Sequence, residues 1–140
     1  VPRGAGSSVA GESLGSGIII DFSRHMNAIE EVGEQTVRVQ PGVVHSRLNR
    51  MLAATGRCFA PDPSNTATTT IGSMIALDAA GSHSPRVGST RDHVVSLDAI
   101  LANGSSLKAE VESLDFLKES PEPPLTNGLA EQRELLRRIV

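Results

Sequence analysis

Apolar and polar residues alternate in a way that predicts two short strands within the first forty-two positions. The run GIIIDFS at 17–23 is apolar and β-branched as far as Asp21, and the run TVRVQPG at 36–42 alternates Val37 and Val39 with polar residues. β-branched runs and period-two alternation of this length are typical of strands. We therefore expect one strand in each run.

A helical pattern follows Pro41. Apolar residues recur at helical spacing from about Val43 to Thr55, and Gly56 stands where a helix commonly ends. The apolar stripe of this predicted helix consists of Val44, Leu48, Met51 and Leu52. His45 is assigned to the polar side of the helix. We expect the apolar stripe to cover a sheet.

Asn103–Gly104 is the clearest turn in the chain. An Asn-Gly pair between two alternating runs is the strongest short-range hairpin signal. The residues expected on one face of this hairpin are Val95, Leu97, Ala99, Leu101, Leu107, Ala109 and Val111. His93 is then expected at the start of the first strand.

The character of the sequence changes after Val111. Residues 119–128, ESPEPPLTNG, combine three prolines with several turn formers and predict a linker. Residues 129–140 resume helical spacing but stop on Ile139 and Val140 without a capping signal. The predicted organisation is one domain over residues 1–118, a linker over 119–128 and a truncated helix over 129–140. A chain that begins in a loop and ends within a helix is expected to be a piece of a longer protein.

Composition narrows the class of protein. The chain has 140 residues with 39% hydrophobic positions, enough for one domain with an aliphatic core. A net charge of −3 argues against a nucleic-acid partner, which requires a basic patch. No apolar run approaches the roughly 20 residues that span a bilayer. Cys58 is the single cysteine, so we expect a reduced, cytoplasmic setting.

Two segments rich in small residues are candidate binding loops. The first, GAGSS at 4–8, can direct successive backbone N–H groups into one concavity that suits a phosphate. The residues VPRG at its front are also what a cleavable expression tag leaves behind. The second segment, at 60–93, has no clear periodicity but contains apolar residues that indicate packing. It is either a functional loop system or a set of small residues that lets a helix approach a sheet.

The order of motifs resembles a known family. The motifs are PRGAGSS, GIIIDFSRHMNAI, VRVQPGV, LAATGRCFAPDPSNTATTTIGSMIA, GSHSPRVGSTRDHV and LANGSSL. From about Pro2 to Leu107 they resemble the PCMH-type flavin-binding domain of FAD-linked oxidases in the vanillyl-alcohol oxidase superfamily, of the D-lactate and glycolate dehydrogenase type. The resemblance implies an α+β fold with a mixed or antiparallel sheet flanked by helices, truncated at both ends. The GSHSPRVG motif is most similar to members fused to an iron–sulfur oxidoreductase module.

The resemblance also implies a cofactor, FAD, and the residues that hold it. Related enzymes that attach FAD covalently have histidine where Ser7 stands, so the resemblance implies non-covalent FAD. The loop implied to cradle the diphosphate consists of Arg3, Gly4, Ala5, Gly6, Ser7 and Ser8. A second wall against the diphosphate and ribityl chain consists of Pro61, Asp62, Thr70, Ile71, Gly72 and Ser73. Ala80, Gly81 and Ser82 are implied to approach the flavin ring.

Three further residues near this predicted site affect its chemistry. Asp78 stands where the family commonly has an asparagine-containing pattern, and an unpaired carboxylate there would repel a diphosphate. Val87 replaces an aromatic residue that usually precedes Gly88. His83 is the candidate for a proton donor or substrate contact.

His25, His45 and His93 are expected to be structural or solvated. No metal site is predicted in this chain, and any iron–sulfur cluster would lie elsewhere in a longer protein.

These observations support two functions of different classes. In the first, the chain is the flavin-binding part of an FAD-dependent oxidoreductase that oxidises a 2-hydroxy acid or a similar small substrate, inactive as 140 residues alone. In the second, it is a non-catalytic α/β scaffold or interaction fragment with unoccupied glycine loops. The sequence identifies neither the substrate nor the electron acceptor.

Overall fold

The computed structural model describes residues 1–111. The strands are β1 (Pro2–Arg3), β2 (Ile20–Asp21), β3 (Ile29–Val32), β4 (Val37–Val39), β5 (Ser96–Ile100) and β6 (Ser106–Glu110). The helices are α1 (His45–Ala53), α2 (Ile71–Leu77) and α3 (Ser84–Val87), followed by a 3₁₀ turn at Thr90–His93. The predicted linker at 119–128 and helix at 129–140 lie outside the described residues, as does the predicted domain boundary at 118.

The strands form two-stranded sheets of both kinds. β1 and β2 are parallel, whereas β3 with β4 and β5 with β6 are antiparallel. The predicted α+β class with mixed and antiparallel pairing is confirmed, although the strands do not join into one sheet. β2 and β4 fall within the two runs that predicted strands. β3 was not predicted, because Glu30 and Glu31 interrupt any simple alternation of apolar and polar residues.

The core lies between α1 and α2. Its buried apolar side chains are those of Val43, Leu48, Leu52, Ile71 and Met74. α1 confirms the predicted helix, and Gly56 adopts a positive φ of 70° just beyond its end. The placement of His45 on the polar side was wrong, because the residue is only 4% exposed. It precedes Leu48 by three positions and therefore lies on the same face of the helix.

α2 lies inside the small-residue segment, where the sequence analysis expected no periodic element. The N–H groups of Ile71 and Gly72 donate to the carbonyl oxygens of Val43 and Pro41, each at 2.8 Å. A Cβ on Gly72 would lie 2.6 Å from Pro41 Cβ, so the helix can approach this closely only with glycine there. Close packing, which was one of two readings of the segment, is therefore part of the reason for its small residues.

The C-terminal hairpin of the described region confirms the Asn-Gly prediction. β5 and β6 pair from Ser96 opposite Glu110 to Ile100 opposite Ser106, and Gly104 in the turn has a φ of 82°. The predicted inner face is only partly buried: Leu97, Ala99, Leu101 and Leu107 are half-buried, while Val95, Ala109 and Val111 are exposed. His93 ends the 3₁₀ turn instead of starting a strand.

Candidate functional site

The first glycine loop lies directly against the start of α2. A Cβ on Gly4 would lie 2.1 Å from Thr70 Oγ1 and 2.3 Å from Ser73 Oγ. Those two hydroxyl oxygens are themselves 3.0 Å apart. Two of the segments predicted to hold the diphosphate are thus brought together, although they are far apart in sequence.

A small open cleft of about 130 Å³ forms at this junction. Its lining residues are Pro2, Arg3, Gly4, Phe22, Pro41, Thr70, Gly72, Ser73 and Ala76. Phe22 and Pro41 were not predicted as site residues, although both stand inside motifs that carried the resemblance. Those motifs were the available signal.

The backbone of the first loop offers hydrogen-bond donors. None of the N–H groups of residues 4–8 donates to an acceptor within the described part of the chain. Gly6 has a φ of 67°, the left-handed conformation expected of a loop that turns its N–H groups to one side. Ala5, Gly6 and Ser7 are exposed. The loop therefore combines free donors with access to solvent.

The base of this loop is held by an ion pair. Arg3 belongs to β1, and its guanidinium lies 2.9 Å from the Asp21 carboxylate on the paired strand β2. The Ser23 hydroxyl and the Arg3 guanidinium together lower the pKa of Asp21 to about 2. Arg3 thus anchors the loop to β2 as well as lining the cleft, a role that the sequence analysis did not foresee.

Asp62 organises a second group of predicted residues. The Nδ1 atom of His83 lies 2.5 Å from Asp62 Oδ2, and the His83 N–H and the Ser82 hydroxyl make longer contacts of 3.4 and 3.5 Å with the same carboxylate. A Cβ on Gly81 would lie 2.1 Å from Asp62 Oδ1. These contacts, the His83 hydrogen bond foremost, hold the pKa of the Asp62 carboxyl below its usual value.

The two groups lie at opposite ends of α2. Thr70 precedes the helix, and the segment 78–83 follows it. With a rise of about 1.5 Å per residue, the seven residues of α2 separate the groups by about 10 Å. The predicted site residues therefore form two clusters along one helix.

Asp78 has a partner. It has a φ of 47°, and its carboxylate accepts hydrogen bonds from the backbone N–H of Arg91 at 2.9 Å and from Arg91 Nε at 2.5 Å. These contacts, above all the one with the Arg91 N–H, hold the pKa of Asp78 below its usual value. The Asp78 carboxylate is therefore paired with Arg91, and is not the unpaired charge that was expected to repel a diphosphate.

Other predicted site residues have a structural environment. Ile71 is a core residue, and its N–H is already bonded to Val43. Pro61 is fully buried, whereas Ala80 and Ser82 are exposed. Within residues 1–111, no three histidine, cysteine, aspartate or glutamate side chains converge as metal ligands, and no helix has the length and apolarity to cross a membrane.

The comparison with protein families decides the assignment. A family model described as "FAD binding domain" matches residues 1–110. The chain belongs to this FAD-binding family. The match confirms the resemblance and FAD as the cofactor to which the domain is adapted. The free N–H groups of residues 4–8, and whichever of the Thr70 and Ser73 hydroxyls does not donate to the other, are suitable donors for its anionic diphosphate.

Individual relatives agree with the family. The chain is 46% identical to D-2-hydroxyglutarate dehydrogenase of Haemophilus influenzae over 120 residues, which are 84% of the chain and 12% of that protein. It is 37% identical to the glycolate oxidase subunit GlcD of Bacillus subtilis over 112 residues, or 77% of the chain and 24% of that protein. The chain therefore spans a small part of the length of these curated relatives.

A solved structure shares the fold. Alkyldihydroxyacetonephosphate synthase superimposes with a TM-score of 0.68 at 26% identity, covering 80% of this chain and 21% of that one. The names of these curated relatives are those of a dehydrogenase and an oxidase subunit.

Proposed function

We propose that this chain forms one wall of the FAD site of an oxidoreductase that oxidises a 2-hydroxy acid. The observation that carries the proposal is the contact of Gly4 with Thr70 and Ser73, which joins the two predicted diphosphate-binding segments in one cleft. The names of the relatives, D-2-hydroxyglutarate dehydrogenase and glycolate oxidase subunit, support a 2-hydroxy acid as the substrate class.

The residues have distinct roles in this proposal. The N–H groups of residues 4–8 and one hydroxyl of the Thr70–Ser73 pair donate to the diphosphate, while the other hydroxyl of the pair donates to its neighbour and Arg3 fixes the base of the loop. Gly72 and Ile71 set the close position of α2, and Asp62 with Pro61 supports the segment 80–82 near the flavin ring. Ser7 provides no nitrogen for attachment, so FAD is held without a covalent bond. When bound, FAD supplies the chemistry of hydride acceptance.

His83 is the residue that we place nearest the reacting end. A carboxylate can only accept a hydrogen bond, so His83 Nδ1 carries the proton toward Asp62, and in the neutral imidazole Nε2 has a lone pair. The side chain is 70% exposed, which leaves Nε2 accessible to a substrate hydroxyl or carboxylate. His83 then accepts or holds a proton while Asp62 fixes its ring.

A substitution at Gly4 tests the proposal in protein expressed from the complete natural reading frame. Gly4→Ala places a methyl group against Thr70 and Ser73, so we expect loss of bound FAD with the fold retained. Gly17→Ala is the control, because a Cβ there meets nothing within 4 Å. Flavin content is measured by absorbance after denaturation, and folding by circular dichroism. Equal flavin content in both variants would show that this cleft does not take part in FAD binding.

The alternative function is the non-catalytic scaffold with unoccupied glycine loops. A colourless wild-type protein that does not take up added FAD would favour it. An iron–sulfur module outside this chain and a cytoplasmic location remain predictions from the sequence.

A further inference from the structure

The Asp78–Arg91 pair suggests a role beyond local structure. Asp78 follows the last residue of α2, and the helix rise places it about 9 Å along the axis from Gly72, which lines the cleft. Its side chain is 28% exposed and that of Arg91 is 76% exposed, so the pair lies near the surface, where an effective dielectric constant of about 20 applies. A charge in this position can act on an anion bound in the cleft.

Arg91 contacts both oxygens of this carboxylate. Its backbone N–H binds Oδ1 and its Nε binds Oδ2, a two-point contact that holds the pair in one geometry. The segment is fixed further because the Thr90 hydroxyl and N–H both donate to the carbonyl oxygen of Ala79, at 2.6 and 3.0 Å. Because Ala79 and Thr90 are the chain neighbours of Asp78 and Arg91, these hydrogen bonds hold the two charged residues close together.

We propose that Arg91 is a positioning residue that neutralises Asp78 and so allows a dinucleotide diphosphate to bind in the cleft. The inference rests on the proposed FAD site. Neutralisation by Arg91 also explains how this chain tolerates the charge of aspartate where an asparagine-containing pattern is common. The backbone permits the exchange, because the left-handed conformation at φ 47° accepts either residue.

The size of the effect follows from elementary electrostatics. Two unit charges about 10 Å apart at an effective dielectric constant of about 20 change a binding constant by roughly tenfold. The effect shrinks with salt, because the Debye length falls from about 30 Å at 0.01 M to about 3 Å at 1 M ionic strength. A purely structural role of Arg91 would show no such salt dependence.

The test compares the FAD affinity of wild type, a single variant and a double variant, measured by flavin fluorescence in protein from the complete reading frame after removal of bound FAD. Arg91→Met keeps the aliphatic length but exposes the Asp78 charge, so we expect roughly tenfold weaker binding at about 0.01 M salt and little loss at about 1 M. Asp78→Asn combined with Arg91→Met removes both charges and should restore affinity to within about twofold of wild type at low salt.

Arg38→Met is the matched control. Arg38 is also ion-paired, with Glu30 and Asp98, but it lies on β4 and not at an end of α2, so we expect unchanged affinity. Unchanged affinity in Arg91→Met, or a double variant as weak as Arg91→Met, would overturn the inference alone. Wild-type protein that binds no FAD would overturn the proposed function together with it.

Discussion

Asn49 holds the backbone of Phe59 with both ends of its amide. Asn49 Oδ1 accepts from the Phe59 N–H at 2.7 Å, and Asn49 Nδ2 donates to the Phe59 carbonyl oxygen at 3.0 Å. This contact fixes the chain three residues before Asp62 to the middle of α1. The position of the Asp62 cluster therefore depends on a helix that does not itself line the cleft.

Asn49→Ala should destabilise the protein. Both hydrogen bonds are partly buried, and leaving their backbone partners unpaired costs about 1–3 kcal/mol. Urea unfolding measures the loss. Asn65→Ala is the control, because Asn65 is exposed and its side chain makes no hydrogen bond within the described residues, and we expect a change below about 0.5 kcal/mol. Equal effects at the two positions would contradict the role of the Asn49 contact.

Gly81→Ala should displace the Asp62 cluster. The new methyl group would lie 2.1 Å from Asp62 Oδ1 and 2.2 Å from the Asp62 carbonyl oxygen, so the backbone must move. We expect lower FAD affinity and a lower melting temperature, whereas Gly17→Ala leaves both unchanged. Calorimetry and flavin fluorescence measure the two quantities. A variant with wild-type values for both would show that the close contact is dispensable.

Gly6→Val should abolish FAD binding without unfolding the domain. A β-branched residue disfavours the positive φ of the loop and obstructs the approach of a phosphate. Gly11→Val is the matched control, because Gly11 also has a positive φ, 86°, and open space around it. The two variants carry the same kind of backbone strain, so a difference in flavin content isolates the cofactor contact. If both variants lost flavin to a similar extent, backbone strain and not a lost contact with FAD would account for the loss.

Acid should weaken the attachment of the first loop. The pKa of Asp21 is about 2 in the folded protein, below its ordinary value of 3.8. Because folding lowers this pKa, the ionised Asp21 carboxylate stabilises the folded protein at pH values above about 4, and this stabilisation is lost as the pH falls toward 2. Asp21→Asn should therefore flatten the decline of the unfolding midpoint in this pH range. Glu12→Gln, at an exposed acid with no ion pair in residues 1–111, should leave the decline intact.

The sequence pattern predicted those elements whose structure depends mainly on residues close together in the chain. The turn at Asn103–Gly104 has its own backbone preference, and α1 has an apolar stripe ending near Gly56, so both were found. α2 was missed because Gly72 and Ser73 are weak helix formers. Its start is fixed instead by hydrogen bonds to Val43 and Pro41, which no local pattern shows.

The candidate site was predictable only in part for the same reason. The resemblance to flavin-binding domains brought Gly4, Thr70 and Ser73 into one hypothesis, and the structure places them in contact. It could not reveal the partner of Asp78, because Arg91 is thirteen positions away and meets it through a turn. The burial of His45 likewise depends on its tertiary surroundings.

The contact between Gly4 and Thr70 closes most of the described chain into one loop, and this has a consequence for the order of folding. Loop-closure entropy disfavours such a contact until shorter connections have formed. The contact between α1 and α2 spans a much shorter stretch, so we expect these helices to associate early and the cleft to assemble last. Pulse-labelling hydrogen exchange during refolding should then protect the Leu48 and Met74 amides, which are bonded at the starts of the two helices, before the protein becomes able to bind added FAD. A newly made chain would accordingly reach its helical core before it could recruit a cofactor.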